Sequence, residues 1–192
     1  MRFIAVDLEL NQPSNKIIQI GAVAWDTDHD LLAIFNTFVD PGEELGWDHV
    51  LNTGQTLGEL LPAGWRVMWD KNKVPAKDAL VDFWKWRADI EVGKKFVQWG
   101  TGDMSIICAE SREHGVRYPR HLKTLDAKQL YQFLWQSNTK GGSGLSSACK
   151  SMGLGGPARA HDAYSDAVAT AEIFLKMHNE VQAVQKMKEY LT

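Results

Sequence analysis

The sequence predicts one mixed α/β domain, and three observations point there. Residues 3–39 carry three apolar segments joined by short polar connections, the pattern of an antiparallel meander. Beyond Pro75, helix-like and strand-like segments alternate. The chain has 192 residues, 44% hydrophobic and 23% charged, which suits a single domain with a sizeable core. No internal repeat, low-complexity segment or composition shift divides it, so residues 1–192 read as one domain.

Phe3 to Leu10 is apolar and partly β-branched, with acids near its end, and reads as the first strand. Asn11 to Asn15 is turn-forming, Ile17 to Trp25 a second strand, and Asp26 to Asp30 a polar turn. Leu31 to Val39 is a third strand, stopped by Asp40-Pro41-Gly42. Residues 42–74 read as an irregular connection, because Gly46, Gly54, Gly58 and Gly64 break any long helix. A short helical turn is expected over Thr56 to Leu61. Connections this long are often functional, and Trp47, Trp65 and Trp69 either line a groove or plug the sheet edge.

Pro75 suits the first turn of a helix that runs to about Glu91 and ends at Gly93, with Ala79, Leu80, Phe83 and Trp84 on its apolar face. Lys95 to Trp99 is a fourth strand, and Gly100-Thr101-Gly102 a tight turn into a helix that ends near His114-Gly115. Leu122 to Leu125 is a fifth strand, followed by a helix from Asp126 to Trp135. Ser143 is placed to cap a helix over 145–152. A helix from about His161 to Asn179 carries Ala163, Ala167, Ala171 and Phe174 on helical spacing, and Glu180 to Leu191 continues or restarts it.

Composition narrows the function classes. A net charge of −3 supplies no global basic field, so a nucleic-acid partner would need local patches or bound metal. Cys108 and Cys149 lack metal-ligand spacing and suit a reduced, cytoplasmic protein. No apolar run reaches 18 residues, and Asp7 interrupts the early apolar stretch, so neither a membrane span nor a signal peptide is expected.

Asp7 and Glu9, two apart on a strand, share one face. Adjacent carboxylates repel, and burying them unpaired is costly. Either a hard divalent cation sits between them, or both face solvent where the strand turns. Asp103 stands where a glycine turn enters a helix, the position of an N-cap. His161 and Asp166, five apart on one helix, are offset by about 140°. Alone, His161 reads as a capping or surface histidine rather than a site residue. The alanines around Asp166 would let its helix lie close to the sheet and bring Asp166 near the end of the first strand. Glu110 and Glu113 read as solvent face, and Asp162 as a bystander. Arg112, Arg117, Arg120, His121 and Lys123 form a basic run, either solvated or in contact with phosphates.

Taken together, Val6-Asp7-Leu8-Glu9, Trp99-Gly100-Thr101-Gly102-Asp103 and His161-Asp162-Ala163-Tyr164-Ser165-Asp166 resemble the three ordered motifs of the DEDDh 3'-5' exonucleases, the DnaQ-like family. Ile17 to Val23, Lys123 to Ala127 and Gly144 to Cys149 resemble that family's supporting segments, so the likeness spans nearly the whole chain except 42–74. The Trp-Gly-x-x-Asp form of the middle motif resembles stand-alone RNA-trimming members more than proofreading subunits.

The resemblance implies a ribonuclease H-like fold, a mixed five-stranded sheet flanked by helices. It implies that Asp7, Glu9, Asp103 and Asp166 hold two divalent cations, magnesium or manganese, and that His161 takes a proton from the attacking water. The implied partner is single-stranded nucleic acid with a free 3' end, RNA or DNA, shortened to nucleoside 5'-monophosphates. Leu8, Leu10, Asn11 and Gln12 are implied substrate contacts. Two other functions fit the same residues: a binding module without catalysis, and a phosphodiesterase for very short oligonucleotides.

Overall fold

The hydrophobic pattern of the first forty residues builds the centre of the sheet. β1 (Arg2–Leu10) pairs antiparallel with β2 (Ile17–Asp26), which pairs antiparallel with β3 (Leu31–Asp40). The computed structural model describes residues 1–28, 31–90, 95–135 and 144–190. The expected turn residues His29 and Asp30, the stop at Gly93, the cap at Ser143 and the helix end at Leu191 lie outside them.

After β3 come α1 (Leu57–Leu60), α2 (Trp65–Asn72), β4 (Val74–Pro75), α3 (Ala76–Asp89), β5 (Lys95–Gln98) and α4 (Asp103–Glu113). Then follow β6 (Lys123–Asp126), α5 (Ala127–Leu134), α6 (Leu145–Ser151) and α7 (Ala163–Tyr190). The strand order is β4-β3-β2-β1-β5-β6, with β5 parallel to both β1 and β6. The sheet is thus the expected mixed one, with a sixth strand added. β4 is two residues long, paired in parallel with Val39 and Asp40, and too short to carry a periodic signal. Pro75, expected in the first helical turn, precedes the helix in this strand and has no N–H to contribute. Among the described residues no helix is long and apolar enough to cross a membrane.

Alternation along β1 divides the core into two layers. Ile4, Val6 and Leu8 point to one face and are covered by Ala79, Leu80 and Phe83 of α3 and by Met104 and Ile107 of α4. Phe3 and Ala5 point to the other face, against Ala169, Ile173 and Met177 of α7, Tyr131 of α5 and Cys149 of α6. Asp7 and Glu9 continue this second face. The connection after β3 is more regular than its glycines suggest. Thr56 and Glu59 form a reciprocal capping box on α1, and Gly64 enters α2 at φ +81°. Trp65 and Trp69, four apart on α2, stack at 6.4 Å and bury against Ile18, Leu45, Leu57 and Leu61. They plug the sheet edge, and their indole N–H groups are spent inside the fold, on Gln19 Oε1 at 2.9 Å and the Val39 carbonyl at 2.8 Å.

α7 is one helix rather than two, and it starts at Ala163 rather than His161. Ala163, Ala167, Ala169 and Ala171 are buried at the sheet. The tightest approach is at Gly21 of β2, the partner of Asp7 in the ladder. A Cβ there would lie 2.1 Å from the Ala163 carbonyl carbon and 2.2 Å from the Tyr164 nitrogen. Both are backbone atoms and cannot move aside alone. Gly21→Ala is expected to destabilise the fold by about 3 kcal/mol, the upper part of the range for overpacking. Urea denaturation checks this, and a midpoint equal to wild type would show that α7 does not need the close approach.

Candidate active site

β1 supplies two acids in mid-sheet, and the close seat of α7 brings two more groups to them. Glu9, His161 and Asp166 have ligand atoms within 4.8 Å of one another. His161 sits in the turn before α7 at φ +59°, a conformation costing roughly 1–2 kcal/mol for a residue with a Cβ. Its backbone N–H donates to Asp166 Oδ2 at 3.2 Å, which helps hold that turn. Because His161 lies before the helix rather than on it, the offset expected of two side chains on one helix does not apply, and a backbone hydrogen bond joins the two residues instead.

Asp103 enters from α4. It is not the helix cap: Gly102, at φ +130°, occupies that position. The open amide of Met104 is taken instead by Gln98 Oε1 at 3.2 Å, and Gln98 Nε2 donates to the Gly100 carbonyl at 3.0 Å. Asp126 accepts from Gly100 N at 3.1 Å and caps α5 through Gln129 N at 3.0 Å. With these groups holding the glycine turn, the Asp103 carboxylate is left for the cleft.

The electrostatics of the four acids agree with their placement. Burial, followed by the charges of Asp103, Glu9, Asp166 and Asp162, holds the Asp7 carboxyl well above the usual aspartate range. Glu9 is raised by burial, then by Asp166, Asp162 and Asp103. Burial, with Asp126 beside it, pushes Asp103 up to about 7. Asp166 is pushed up to about 6, mainly by burial, against the lowering hydrogen bond from His161 N–H. Desolvation acts on His161 in the opposite sense, lowering its pKa. Asp166 Oδ1 is buried with no hydrogen-bond partner among the described residues. Four carboxyls with raised pKa values and one orphaned oxygen are what a cation site looks like before its charge is balanced. The donor set fits hard divalent ions.

Other expected residues fall differently. Leu8 packs on the face opposite the acids, in the core against α3 and α4. Leu10 is half-buried on that same face. Asn11, buried, spends its side chain on the loop after β3. Its amide donates to Glu43 Oε1 at 2.6 Å and the Glu44 carbonyl at 3.2 Å, and its oxygen accepts from Gly46 N at 2.9 Å. Gln12 is half-buried and donates to Asn15 Oδ1 at 3.1 Å. Asp162 is a helix cap rather than a bystander: its Oδ1 accepts from Ser165 N and Oγ, both at 3.1 Å. Glu110 is buried rather than solvent-facing, because it accepts the Ile17 N–H at 2.8 Å, whereas Glu113 is exposed and paired with Lys16 at 2.6 Å.

Gln19 is the residue that sequence reasoning missed. It is fully buried on β2 opposite Glu9. Its Oε1 accepts from Trp65 Nε1 at 2.9 Å and Ala163 N at 3.2 Å, and its Nε2 donates to Asn36 Oδ1 at 3.0 Å and Asp162 Oδ2 at 3.1 Å. One amide thus ties α2, β3 and the start of α7 beside the acids. A polar residue within the apolar run Ile17-Ile18-Gln19-Ile20 was the available signal.

Against solved structures, the chain superposes on the nuclease domain of 3'hExo, a DEDDh family member bound to rAMP, with a TM-score of 0.71 at 16% identity, over 93% of this chain and 92% of that one. The fold is that of a DEDDh nuclease domain. A 3'-exonuclease solved in 3'-end-specific recognition of a histone mRNA stem-loop gives a TM-score of 0.64 at 18% identity, over 93% of this chain and 82% of that one. A full-length 3'-exonuclease gives 0.63 at 18% identity, and the chain spans 60% of its length. No protein-family model matches the sequence, and no curated protein does. The likeness to the DEDDh nuclease domain is thus one of backbone architecture, and it confirms the ribonuclease H-like arrangement that the motifs imply.

The raised carboxyls give a pH dependence whose sign can be worked out. Between about pH 4, where free carboxyls titrate, and pH 7, the native state binds more protons than the unfolded state. Stability therefore falls as pH rises through that window. Buried Glu110, also raised, adds to the four, while His161, lowered by desolvation, and Glu113, lowered by Lys16, work in the opposite sense. Asp26, held down to about 2 chiefly by the Arg2 guanidinium, titrates below the window. In EDTA the melting temperature is expected to rise as pH is lowered from 7.5 to 5. A flat curve, or one falling toward pH 5, would mean that the four carboxyls do not share a desolvated cleft.

Proposed function

We propose that residues 1–192 act as a single metal-dependent 3'-5' exonuclease domain, hydrolysing single-stranded RNA or DNA from its 3' end to nucleoside 5'-monophosphates. The observation that carries this reading is the convergence of Asp7, Glu9, Asp103 and Asp166 with His161 at the end of β1. The nuclease architecture of the neighbours supports it, and the rAMP and histone mRNA stem-loop of those structures favour RNA as the first substrate to test.

Asp7, Glu9, Asp103 and Asp166 would hold two divalent cations, magnesium or manganese. When bound, such ions stabilise the charge on the attacking and leaving oxygens of a displacement at phosphorus. The chain's own groups do the rest. His161, with its pKa lowered by desolvation, is neutral near pH 7 and can accept a proton from water on a ring nitrogen. Asp166 Oδ2 fixes the backbone of that histidine, so the base and the acids move together. Past the end of β1, Gln12 keeps some exposure and would meet the terminal nucleotide. Leu10, on the face away from the acids, would reach it only by the edge of its half-buried side chain or its backbone. Leu8 and Asn11 would contribute through their backbone and through the loop that Asn11 holds.

Single strands labelled at the 5' end should shorten from the 3' end with magnesium or manganese and remain intact in EDTA. A 3'-end block that leaves the rate unchanged, or cuts in a circular strand, would count against an exonuclease. Turnover confined to dinucleotides would favour the short-oligonucleotide reading. His161→Ala is expected to lower kcat by ~10²–10⁴-fold while keeping the metal-dependent rise in Tm. Asp7→Asn is expected to remove activity and shrink that rise. An equal rise in Asp7→Asn and wild type would exclude Asp7 as a ligand.

A further inference from the structure

Outside the cleft, the chain builds a second charged surface at the far end of α4. Residues 112–123 contain Arg112, His114, Arg117, Arg120, His121 and Lys123 against a single acid, Glu113. In a chain of net charge −3 this is a local excess. The geometry that gathers it is specific. α4 ends in a Schellman motif: Val116 N donates to the Ser111 carbonyl at 2.7 Å and Gly115 N to the Arg112 carbonyl at 3.2 Å, with Gly115 at φ +68°. Val116 is buried, which anchors the reversal, and the chain after it folds back beside the last helical turn.

The result is a depression of about 550 Å³ lined by Arg112, Arg117, Tyr118 and Arg120. Its wall is fixed. Tyr118 stacks on the buried Trp84 at 5.7 Å and 23°, and its hydroxyl accepts from Arg112 Nη2 at 3.2 Å. All three arginines are exposed, and Arg117 has no ion-pair partner among the described residues. The acids of the same helix are occupied elsewhere. Glu110 accepts the Ile17 amide, and Glu113 is paired with Lys16. Three exposed guanidinium groups around a concave wall match a row of phosphates better than any neutral ligand.

We propose that this depression is a nucleic-acid backbone site, holding phosphates of the strand upstream of the 3' end. The proposal rests on the exonuclease reading for the direction of the strand, but not for binding itself. Asp103 and Arg112 are nine residues apart on α4, about 14 Å along its axis and half a turn around it. The surface is therefore out of reach of the terminal nucleotide and is met only by longer strands. It also answers an electrostatic difficulty: a cleft made of four acids repels a polyanion, and attraction must come from elsewhere on the surface.

The test is fluorescence anisotropy in EDTA, where no hydrolysis intervenes, with single-stranded RNA and DNA of about 5 and about 20 nucleotides across a salt series. For single strands each phosphate contact contributes roughly 0.7 to the slope of log K against log salt. Replacing Arg112, Arg117 and Arg120 together by Gln is expected to reduce that slope by about 2 on the long strand. Affinity for it should fall on the order of tenfold. The 5-mer should bind as it does to wild type. Arg117→Gln alone, which breaks no contact within the fold, should remove about a third of the slope change. The triple Lys variant keeps the charge and should retain the slope. An unchanged slope in the triple Gln variant at wild-type melting temperature overturns the proposal. So does displacement of the bound strand by poly-glutamate as effective as by an unlabelled strand, which would point to an acidic protein partner instead. Loss of the slope in a protein that never hydrolyses a 3' end would leave this site standing and remove the exonuclease reading alone.

Discussion

Everything in the cleft depends on how closely α7 approaches β2. Gly21 has no side chain, and the backbone of Ala163 and Tyr164 occupies the space that one would fill. Because Gly21 lies opposite Asp7 in the ladder, the same contact that seats the helix also sets the height of its first turn above the acids of β1. Four buried alanines continue the seat along the helix. Gln19, two residues before Gly21, then locks the turn laterally through hydrogen bonds to Ala163 and Asp162. Backbone proximity supplies the distance and one amide supplies the orientation. His161 can hold its left-handed conformation because both sides of it are fixed.

That arrangement places mutually repelling carboxyls in a desolvated cleft, which opposes folding at neutral pH. The rest of the structure must offset the cost, and the two-layer core on either side of β1 is where that stabilisation lies. Phe3 meets Phe174 edge-on at 4.8 Å within one layer, and Phe83 meets Trp84 at 5.0 Å in the other. Ligand binding to the native state recovers the electrostatic cost by mass action, so a cation would link stability to function through the same four groups.

The frame of the fold was legible in the sequence because strand alternation and helix periodicity are local. The acids of β1 could be paired from their spacing, and Asp166 could be brought to them from the alanines around it. What escaped was non-local or too short. β4 has two residues and no period. α2 hides directly behind a glycine-punctuated stretch, since Trp65 and Trp69 reveal their common face only once Ile18 and Leu45 are there to bury it. The start of α7 was misplaced by two residues because Asp162, not His161, has its carboxyl on the Ser165 amide. Glu110 looked like a solvent-facing charge because nothing near it in the chain announces the Ile17 amide that it accepts.

The same reasoning separates acids of the site from acids of the scaffold. Asp162, the cap of α7, and Asp166, in its first turn, are four apart, yet they do different work. Asp162 has both oxygens engaged by protein donors: Ser165 on one and Gln19 on the other. Those neutral donors leave little coordinating capacity, although the charge of Asp162 still acts on Asp7, Glu9 and Asp166. Asp166 has one oxygen on the His161 amide and the other buried with no partner among the described residues. Asn11, just past the end of β1, is spent on the loop after β3, and Asp126 uses one oxygen, Oδ1, on Gly100 N and on Gln129 N. The raised carboxyls of Asp7, Glu9 and Asp103 fall with Asp166. A native protein rarely leaves a buried acceptor unsatisfied without a use for it. The second oxygen of Asp166, buried without a donor among the described residues, is what sets it apart from Asp162, whose two oxygens hold the fold around them.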